Sequence, residues 1–279
     1  MFARQIGRNV KVYMDDMLVK SIWDDDHLND LQETFDTLRS YNMKLNPSKC
    51  VFRVMIEKFL GFMVSQRGVE VNPDKIQAIM ELALPKTVKE VQGLNSKVAA
   101  LNRFVSRATD KCLSFFHTLK KSFEWTTECQ QAFEDLKAYL SSLPLLSPSK
   151  PGEGLFLYLI VSLATISAAL VREGNEVQKP IYFTSRAFQE AEERYPSMEK
   201  LAFTLVTTAR KLKPYFQAHT VIILIDKPIR RAMSSLEAIG RMTLWVIELS
   251  EFDIQYQPCM AIKEQVIADF ITEFTLAKD

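Results

Sequence analysis

Short alternating runs of apolar and polar residues open the chain, and a polar bend interrupts them. Apolar positions at Val10, Val12 and Val19 flank Asp15-Asp16, an order that predicts a strand, a turn and a second strand over residues 10–20. Asp26 is the expected N-cap of a following helix, in which apolar side chains recur at helical spacing to about residue 43.

The next stretch changes from strand-like to helical character. Asn46-Pro47 is expected to end the first helix, and strand-like runs follow at residues 50–54 and 59–65, the second closed by Arg67-Gly68. The sequence Val71-Asn72-Pro73-Asp74 then predicts a helix start. From there to about residue 143 the apolar spacing is helical, with breaks expected near residues 85, 110 and 122–125.

A third region follows the sequence SLPLLSPSKPGEG at residues 142–154, whose three prolines and two glycines are typical of a linker. The later pattern predicts strands at 155–161, 164–172 and 177–185, a helix at 195–217, a strand at 220–225, one or two helices to 249, a strand at 252–256 and a final helix from 263. This order predicts a mixed sheet with flanking helices. The fold class is therefore α+β or α/β, with several domains.

Residues 155–171 contain no charged side chain and reach the lower limit of length for a membrane-spanning helix. Ser162, Thr165 and Ser167 interrupt this apolar run, so two buried strands joined by a tight turn are the preferred interpretation. The first ten residues lack an apolar stretch long enough for a signal peptide. We therefore expect no signal peptide or transmembrane segment, and an intracellular location in the cytoplasm or nucleus.

The composition indicates a protein that folds around a core, because 47% of the residues are hydrophobic and 25% are charged. The four cysteines form no CxxC pair, so free thiols are expected instead of a zinc or disulfide framework. The net charge of +1 does not indicate a nucleic-acid partner. However, residues 86–121 contain eight basic and two acidic residues, which fits either a phosphate-contacting element or a solvated helical face.

The motif Tyr13-Met14-Asp15-Asp16 has the most specific chemistry in the chain. Nucleotidyl transfer uses two divalent cations, and a tight hairpin can hold adjacent carboxylates rigidly enough to bind them. Adjacent aspartates also occur in ordinary polar turns, so the surrounding sequence has to decide. The stretches HLNDLQETFDTLRSYNMKL, NPSKCVF and KFLGFMVSQRGVEVNPDKI follow in an order that resembles the palm of gypsy-type retrotransposon reverse transcriptases.

This resemblance implies RNA-directed DNA synthesis, with Mg²⁺ bound at Asp15 and Asp16. It also implies that Lys49 lies near the incoming triphosphate, where a cation neutralises developing phosphate charge. Phe59, Leu60 and Gly61 match the stretch that grips the primer. The basic helical region resembles the thumb, and its expected contacts with the backbone of a template–primer duplex, either DNA or an RNA–DNA hybrid, are Lys97, Arg103, Arg107 and Lys111.

The third region resembles the ribonuclease H-like domain of the same Pol polyproteins, through QKPIYFTSRAF, YPSMEKLAFTLVTTARKLKPYF and ADFITEF. Ribonuclease H chemistry needs four carboxylates around two magnesium ions, and Glu199, Asp226 and Asp269 match three of them. The first is expected near Ile160, but no Asp or Glu occurs between residues 153 and 173. Because an isoleucine cannot bind a hard cation, we expect a connection domain without strand-cutting activity.

The resemblance also places a palm carboxylate upstream of the hairpin, and the fourteen residues before Asp15 contain neither Asp nor Glu. The expected organisation is the C-terminal part of a palm at 1–72, a helical thumb at 73–143, a linker at 144–154 and a connection domain at 155–275. We expect a fragment that binds a nucleic-acid duplex together with the remainder of Pol but is catalytically incomplete. A residual metal-dependent hybrid nuclease and an inert or domesticated interaction protein remain as alternatives.

Overall fold

A computed structural model describes residues 1–14, 16–21, 23–52, 56–59, 61–65, 67–120, 124–174, 177–225 and 240–258. The chain divides into two compact units, Met1–Gln66 and Arg67–Asp279. In the first unit, strands β1 (Val10–Tyr13) and β2 (Asp16–Val19) pair antiparallel, as the alternating pattern predicted. Helix α1 (His27–Ser40) follows, and strands β3 (Ile56–Phe59) and β4 (Phe62–Ser65) form a second antiparallel hairpin.

Three features of this unit differ from the sequence prediction. Helix α1 ends at Ser40 because Asn42 has a φ of 53°, and the Met43 amide donates to the Leu38 carbonyl, which closes the last turn. The strand expected at 50–54 was wrong for residues 50–52, which have no strand pairing. The run expected at 59–65 is divided by a turn that includes Gly61, whose φ is 75°, so Phe59 belongs to the preceding strand.

The second unit begins with strand β5 (Gly68–Val71) and continues through helices α2 (Pro73–Met80), α3 (Val88–Ala99), α4 (Ala108–Lys111), α5 (Leu113–Lys120) and α6 (Thr127–Leu140). Side chains cap three of these helices, and the start of α2 at Asn72-Pro73 was predicted from the sequence. The Asn72 side chain accepts from the Asp74 amide at 3.1 Å, and the Thr87 and Thr126 hydroxyls accept from Glu90 and Cys129 amides. The Lys137 ammonium donates to the carbonyls of Met80 and Leu82 at the end of α2.

The same unit continues into a mixed five-stranded sheet. Its elements are β6 (Leu155–Val161), β7 (Thr165–Gly174), β8 (Val177–Ala187), α7 (Ser197–Lys211), α8 (Lys213–Ala218), β9 (Val221–Leu224), α9 (Arg241–Leu249) and β10 (Ile254–Gln257). The strand order is β10-β9-β6-β7-β8, with antiparallel pairing along β6–β7–β8 and parallel pairing of β9 with β6 and β10. This confirms the predicted mixed sheet with flanking helices.

The charge-free stretch 155–171 forms two paired strands, which confirms the preferred interpretation. Leu155 lies opposite Arg172 and Val161 opposite Ile166, so the hairpin turns at residues 162–164. The helix expected at 195–217 is two helices that meet at Leu212, because Pro214 has no amide hydrogen and its ring would clash with the carbonyl four residues earlier. Through the described ranges, the helices are all too short or too polar to cross a bilayer.

Helix α7 packs on the sheet and forms the largest described core. Leu157 and Leu170 of the sheet and Leu205 and Val206 of the helix are completely buried, and Trp245 of α9 adds a large aromatic side chain to the same cluster. Ile181 of β8 is also buried there. Burial of apolar area of this kind provides most of the stabilisation of an α/β layer.

The segment expected to be a linker forms backbone hydrogen bonds with β5 and with β8. Val69 of β5 and Leu146 exchange backbone hydrogen bonds at 2.9 and 3.1 Å, and the Ser147 amide donates to the Pro180 carbonyl of β8 at 2.7 Å. Leu146 is completely buried. At Gly68, an added Cβ would lie 2.0 Å from the Leu146 carbonyl oxygen, so the close approach of these two chains requires a glycine.

Candidate functional site

The first hairpin presents the tip of the Tyr-Met-Asp-Asp motif to solvent. Tyr13 and Asp16 form the last pair of β1 and β2, so a two-residue turn joins the strands. Met14 has a φ of 49°, which such a turn requires, and its side chain is 85% exposed. The carboxylate of Asp16 is also exposed, whereas Asp15 lies outside the described residues. Binding of a metal pair by Asp15 and Asp16 therefore stays a prediction.

One carboxylate of helix α1 anchors both ends of this hairpin. The Asn9 amide, just before β1, donates to Asp30 Oδ1, and the Ser21 hydroxyl, just after β2, donates to Asp30 Oδ2, both at 2.6 Å. The hydrogen bonds from Ser21 and then Asn9 lower the pKa of Asp30. One turn further along α1, the Thr34 hydroxyl accepts from the Gln5 side chain. The helix therefore fixes the base of the hairpin by polar contacts as well as by the packing of Val10 on Leu38.

The expected triphosphate and primer contacts lie on tight turns. The Asn46 side chain accepts hydrogen bonds from the amide and hydroxyl of Ser48, which stabilises a short helical turn over Pro47–Lys49 and leaves Lys49 exposed. Phe59 ends β3 and Gly61 lies in the turn that follows, while Leu60 is outside the described residues. The turn geometry permits close approach of a nucleic-acid strand at Gly61.

The four cations expected on the thumb have different environments. Lys97 lies on α3 with an exposed side chain. Arg103 stacks over the Tyr182 ring of β8 at 4.9 Å, and Lys111 lies over the Tyr139 ring of α6 at 4.6 Å. Arg107 is 8% exposed, has a φ of 51° and pairs with Asp110 at 2.8 Å. Three of the four therefore make contacts inside the second unit, and Lys97 faces solvent.

Asp110 connects the helical region to the sheet. Its Oδ2 accepts from Arg107 Nε, and its Oδ1 accepts from the hydroxyl of Thr165 at the start of β7 and from that of Ser162. Nearby, the Thr109 amide donates to the Ser185 hydroxyl of β8 at 2.9 Å, and the Phe183 amide of β8 donates to the Arg103 carbonyl at 3.0 Å. Residues 102–110 therefore lie along β8, the edge strand of the sheet.

The ribonuclease H-type carboxylates are only partly described. Ile160 lies on β6 opposite Ser167 and is 7% exposed, so an apolar side chain occupies the expected position of the first carboxylate. Glu199 lies in the first turn of α7, where its Oε2 forms an ion pair with Arg241 Nε of α9 at 3.3 Å. Asp226 and Asp269 are outside the described residues.

A divalent cation such as Mg²⁺ requires several oxygen donors that converge on one point. In the portion of the chain that the structure describes, no group of three or more His, Cys, Asp or Glu side chains is placed to hold a metal ion. At the ribonuclease H-type position, Ile160 offers no oxygen and Glu199 faces a guanidinium, so these residues do not fit a pair of magnesium ions. The described cysteines Cys50, Cys112 and Cys129 are free thiols, as expected. Burial raises the pKa of Cys112 to about 12, so its thiolate is not available as a ligand.

Several structurally important residues were not identified from the sequence. Asp30, Asp110 and Lys137 each form at least one hydrogen bond with a residue more than nine positions away in the chain. Local sequence patterns give no sign of such pairings. For Asp110, the (i, i+3) spacing from Arg107 was a usable local signal of an ion pair. Its contact with Thr165 had no such signal.

Two family models match this chain. Residues 1–100 match the reverse transcriptase (RNA-dependent DNA polymerase) family, and residues 125–223 match the RNase H-like domain found in reverse transcriptase. Among solved structures, a foamy viral protease-reverse transcriptase in complex with double-stranded DNA superposes with a TM-score of 0.75 and 20% identity, over 92% of this chain and 47% of that one. A second, in complex with an RNA/DNA hybrid, has a TM-score of 0.76 and 19% identity, over 91% and 36% of the two chains.

These matches define the class as a reverse transcriptase segment joined to a ribonuclease H-like domain. Among curated relatives, the Pol polyproteins of transposons 297 and 412 from Drosophila melanogaster are 27% and 26% identical over 98% and 95% of this chain. The chain covers 26% and 22% of their lengths. The Tf2-3 polyprotein of Schizosaccharomyces pombe is 23% identical over 90% of this chain and 20% of its own. The chain carries the reverse transcriptase and ribonuclease H-like domains of a retrotransposon Pol polyprotein, and the resemblance to the gypsy type is confirmed.

Proposed function

We propose that this chain binds a nucleic-acid duplex as part of a retrotransposon reverse transcriptase, and that its ribonuclease H-like domain assists binding without cutting a strand. The related solved proteins were captured with double-stranded DNA and with an RNA/DNA hybrid, which supports a duplex as the ligand. In this proposal the exposed Lys97 of the helical region contacts a phosphate, and the other cations of that region add positive potential.

The observation that carries the non-catalytic assignment is the side chain of Ile160. Two-metal hydrolysis depends on a carboxylate on the first strand of the sheet, and β6 is that strand here. Isoleucine supplies no oxygen ligand, and Glu199 forms an ion pair with Arg241. Glu199, Asp226 and Asp269 are therefore remnants of a metal site in this proposal, and no hydrolytic step is assigned to them.

The polymerase motif keeps two carboxylate side chains, which are suitable ligands for a divalent cation. Asp15 and Asp16 would hold Mg²⁺, which would activate the primer hydroxyl and position the triphosphate when bound. Lys49, exposed at the end of its turn, would neutralise triphosphate charge, and Phe59, Leu60 and Gly61 would hold the primer strand. The contacts of Asp30 with Asn9 and Ser21 fix the base of the hairpin that carries Asp15 and Asp16. The remainder of a Pol polyprotein is the proposed partner of this hairpin, since the resemblance places the other palm carboxylate upstream of it.

Within the helical region, Lys97 is the proposed direct phosphate contact because its side chain is exposed on α3. Arg103, Arg107 and Lys111 are proposed to contribute positive potential while they hold the helical region to the sheet and to α6. This division predicts different effects of substitution. Loss of Lys97 weakens duplex binding alone, whereas loss of Arg107 also lowers stability.

Hydrolysis is tested with the full chain and a labelled RNA–DNA hybrid in the presence of Mn²⁺. We expect no RNA cleavage above the level of a control without protein, for the wild-type chain and for Glu199→Ala alike. Turnover by the wild-type chain that Glu199→Ala abolishes would show that the domain is a residual nuclease. The Ile160→Asp variant extends the test, because gain of cleavage there would identify Ile160 as the cause of the loss.

Duplex binding is measured by fluorescence anisotropy of a labelled RNA–DNA hybrid at several salt concentrations. We expect affinity to fall steeply with salt, and Lys97→Gln to reduce the slope of log affinity against log salt by about 0.9, the contribution of one phosphate contact. Lys150→Gln is the matched control, because Lys150 is exposed in the segment before β6 and is not assigned to the interface. Equal slopes for the two variants would remove Lys97 from the interface.

A further inference from the structure

Tyr182 of β8 is surrounded by cations at the junction of the helical region and the sheet. Arg103 lies over its ring at 4.9 Å from the centroid, and the Lys211 ammonium at the end of α7 lies 6.0 Å from the same centroid. The Tyr215 ring of α8 packs against Tyr182 in a T-shaped arrangement at 6.5 Å. Two positive charges and two aromatic rings, from β8, α7, α8 and the segment between α3 and α4, therefore meet at one surface.

A small pocket lies next to this cluster, between α7 and strands β7 and β8. Its volume is about 70 Å³, and Lys211 forms part of its lining. Tyr182 and Thr184 pair with Leu170 and Ala168, so both point to the face of the sheet that α7 covers. The polar side chains that line the pocket on this face are Thr184, Arg186, Thr204, Thr207, Thr208 and Lys211. The lining contains no Asp or Glu.

The cations at this pocket are only partly neutralised by the described residues. Arg186 Nη2 pairs with Glu192, but Arg186 Nε is buried without a hydrogen-bond partner. No carboxylate in the ranges that the structure describes forms an ion pair with Lys211, and burial lowers the pKa of this lysine. A bound anion would offset both the like-charge repulsion and the lost solvation. Hydroxyl and N–H donors around the cavity suit an oxyanion in particular.

The volume of the pocket is large enough for a small oxyanion group. One water molecule requires roughly 10–15 Å³ of such space, so 70 Å³ holds a small oxyanion group or several waters. The Lys211 ammonium is partly desolvated, but part of the side chain stays exposed, so a ligand can reach it from solvent. Arg103 belongs to the basic stretch at residues 86–121, which means that the cluster extends this cationic series onto the sheet. That continuity favours a phosphate on a long polymer over a free ion.

We propose that Lys211, with Arg103, Tyr182, Arg186 and Thr207, forms a binding site for a backbone phosphate of the nucleic-acid duplex, which gives the ribonuclease H-like domain its own contact with the ligand. This inference rests on the proposed duplex binding. It assigns the degenerate domain a direct role, since a site for phosphate needs no metal and no carboxylate.

The test compares Lys211→Gln with Lys213→Gln in the full chain, by anisotropy of a labelled hybrid duplex across a salt series. Both variants lose one positive charge within three residues, but Lys213 is exposed on α8 and does not line the pocket. We expect Lys211→Gln to weaken binding roughly five- to tenfold at low salt and to reduce the salt slope by about 0.9. Lys211→Arg keeps the charge and should keep most of the wild-type affinity. Thr207→Val should weaken binding without a change in the slope of log affinity against log salt.

The outcomes separate this site from the general proposal. If the wild-type chain binds the duplex and Lys211→Gln behaves like Lys213→Gln, the phosphate site is wrong and duplex binding stands. If the wild-type chain does not bind the duplex, the proposed function fails. A second arm then measures thermal unfolding in inorganic phosphate against chloride at equal ionic strength. Stabilisation that depends on Lys211 would mean a free phosphate site, which contradicts the backbone assignment, and no stabilisation would exclude an oxyanion site altogether.

Discussion

Removal of the Asp110 carboxylate should destabilise the second unit far more than its single charge suggests. The side chains of Arg107 and Asp110 are 9% and 15% exposed, and their N···O distance is 2.8 Å. Asp110→Ala removes the carboxylate that pairs with the buried Arg107 guanidinium, a change that costs about 3–5 kcal/mol. It also removes the acceptor for the hydroxyls of Thr165 and Ser162. Since about 1 kcal/mol shifts Tm by roughly 2–4 °C in a domain of this size, we expect Tm to fall by roughly 6–20 °C.

Urea unfolding followed by far-UV circular dichroism measures this change in the free energy of unfolding. Asp36→Ala is the matched control, because Asp36 and Arg39 have the same (i, i+3) spacing but side chains that are 58% and 74% exposed. That variant should unfold almost as the wild-type chain does. The double variant Arg107→Met with Asp110→Leu should recover much of the lost stability, because both charges are removed together. A loss below about 1 kcal/mol for Asp110→Ala would mean that water solvates Arg107 and that the buried-pair argument is wrong.

Three further predictions concern the same unit. Gly68→Ala should lower the free energy of unfolding by roughly 1–3 kcal/mol in urea titration, because the new Cβ would lie 2.0 Å from the Leu146 carbonyl oxygen. Gly93→Ala in α3 is the control, because nothing lies within 4 Å of a Cβ there, and it should raise the free energy of unfolding by about 0.5–1 kcal/mol. Equal effects of the two substitutions would refute the contact at Gly68. Lys137→Met should cost roughly 1–3 kcal/mol because the Met80 and Leu82 carbonyls lose their donor, and an unchanged urea midpoint would show that water replaces it. Glu153→Gln should lower stability near neutral pH. Burial raises the pKa of Glu153, but hydrogen bonds from Arg172 and the Lys150 amide outweigh it and hold that pKa below its ordinary value of 4.5. The stabilisation is thus complete above pH 4.5 and disappears as the pH falls through the lowered pKa, so the Tm values of variant and wild type should converge in acid; a constant difference would contradict the assignment.

Local patterns were sufficient for most elements of the sheet. Strands β6, β7 and β8 follow from charge-free and alternating runs bounded by turn residues, because a strand with one or two buried faces leaves that pattern in the sequence. The start of α2 followed from Asn72 and Pro73, whose roles depend only on nearby amides. Pro214 carried the information for the break at Leu212, although the long helix was expected to continue through it.

The class of the chain and the missing oxygen ligand at Ile160 followed from the residues alone, because an aliphatic side chain cannot become an oxygen ligand in any fold. The environments of the basic residues became visible only in the packed structure. Lys97 faces solvent, while Arg107 is buried beside Asp110, and nothing in their charge or spacing distinguished them. Contacts such as Asp110 with Thr165 and Arg103 with Tyr182 join residues more than fifty positions apart, and such pairings arise only when separate elements pack together.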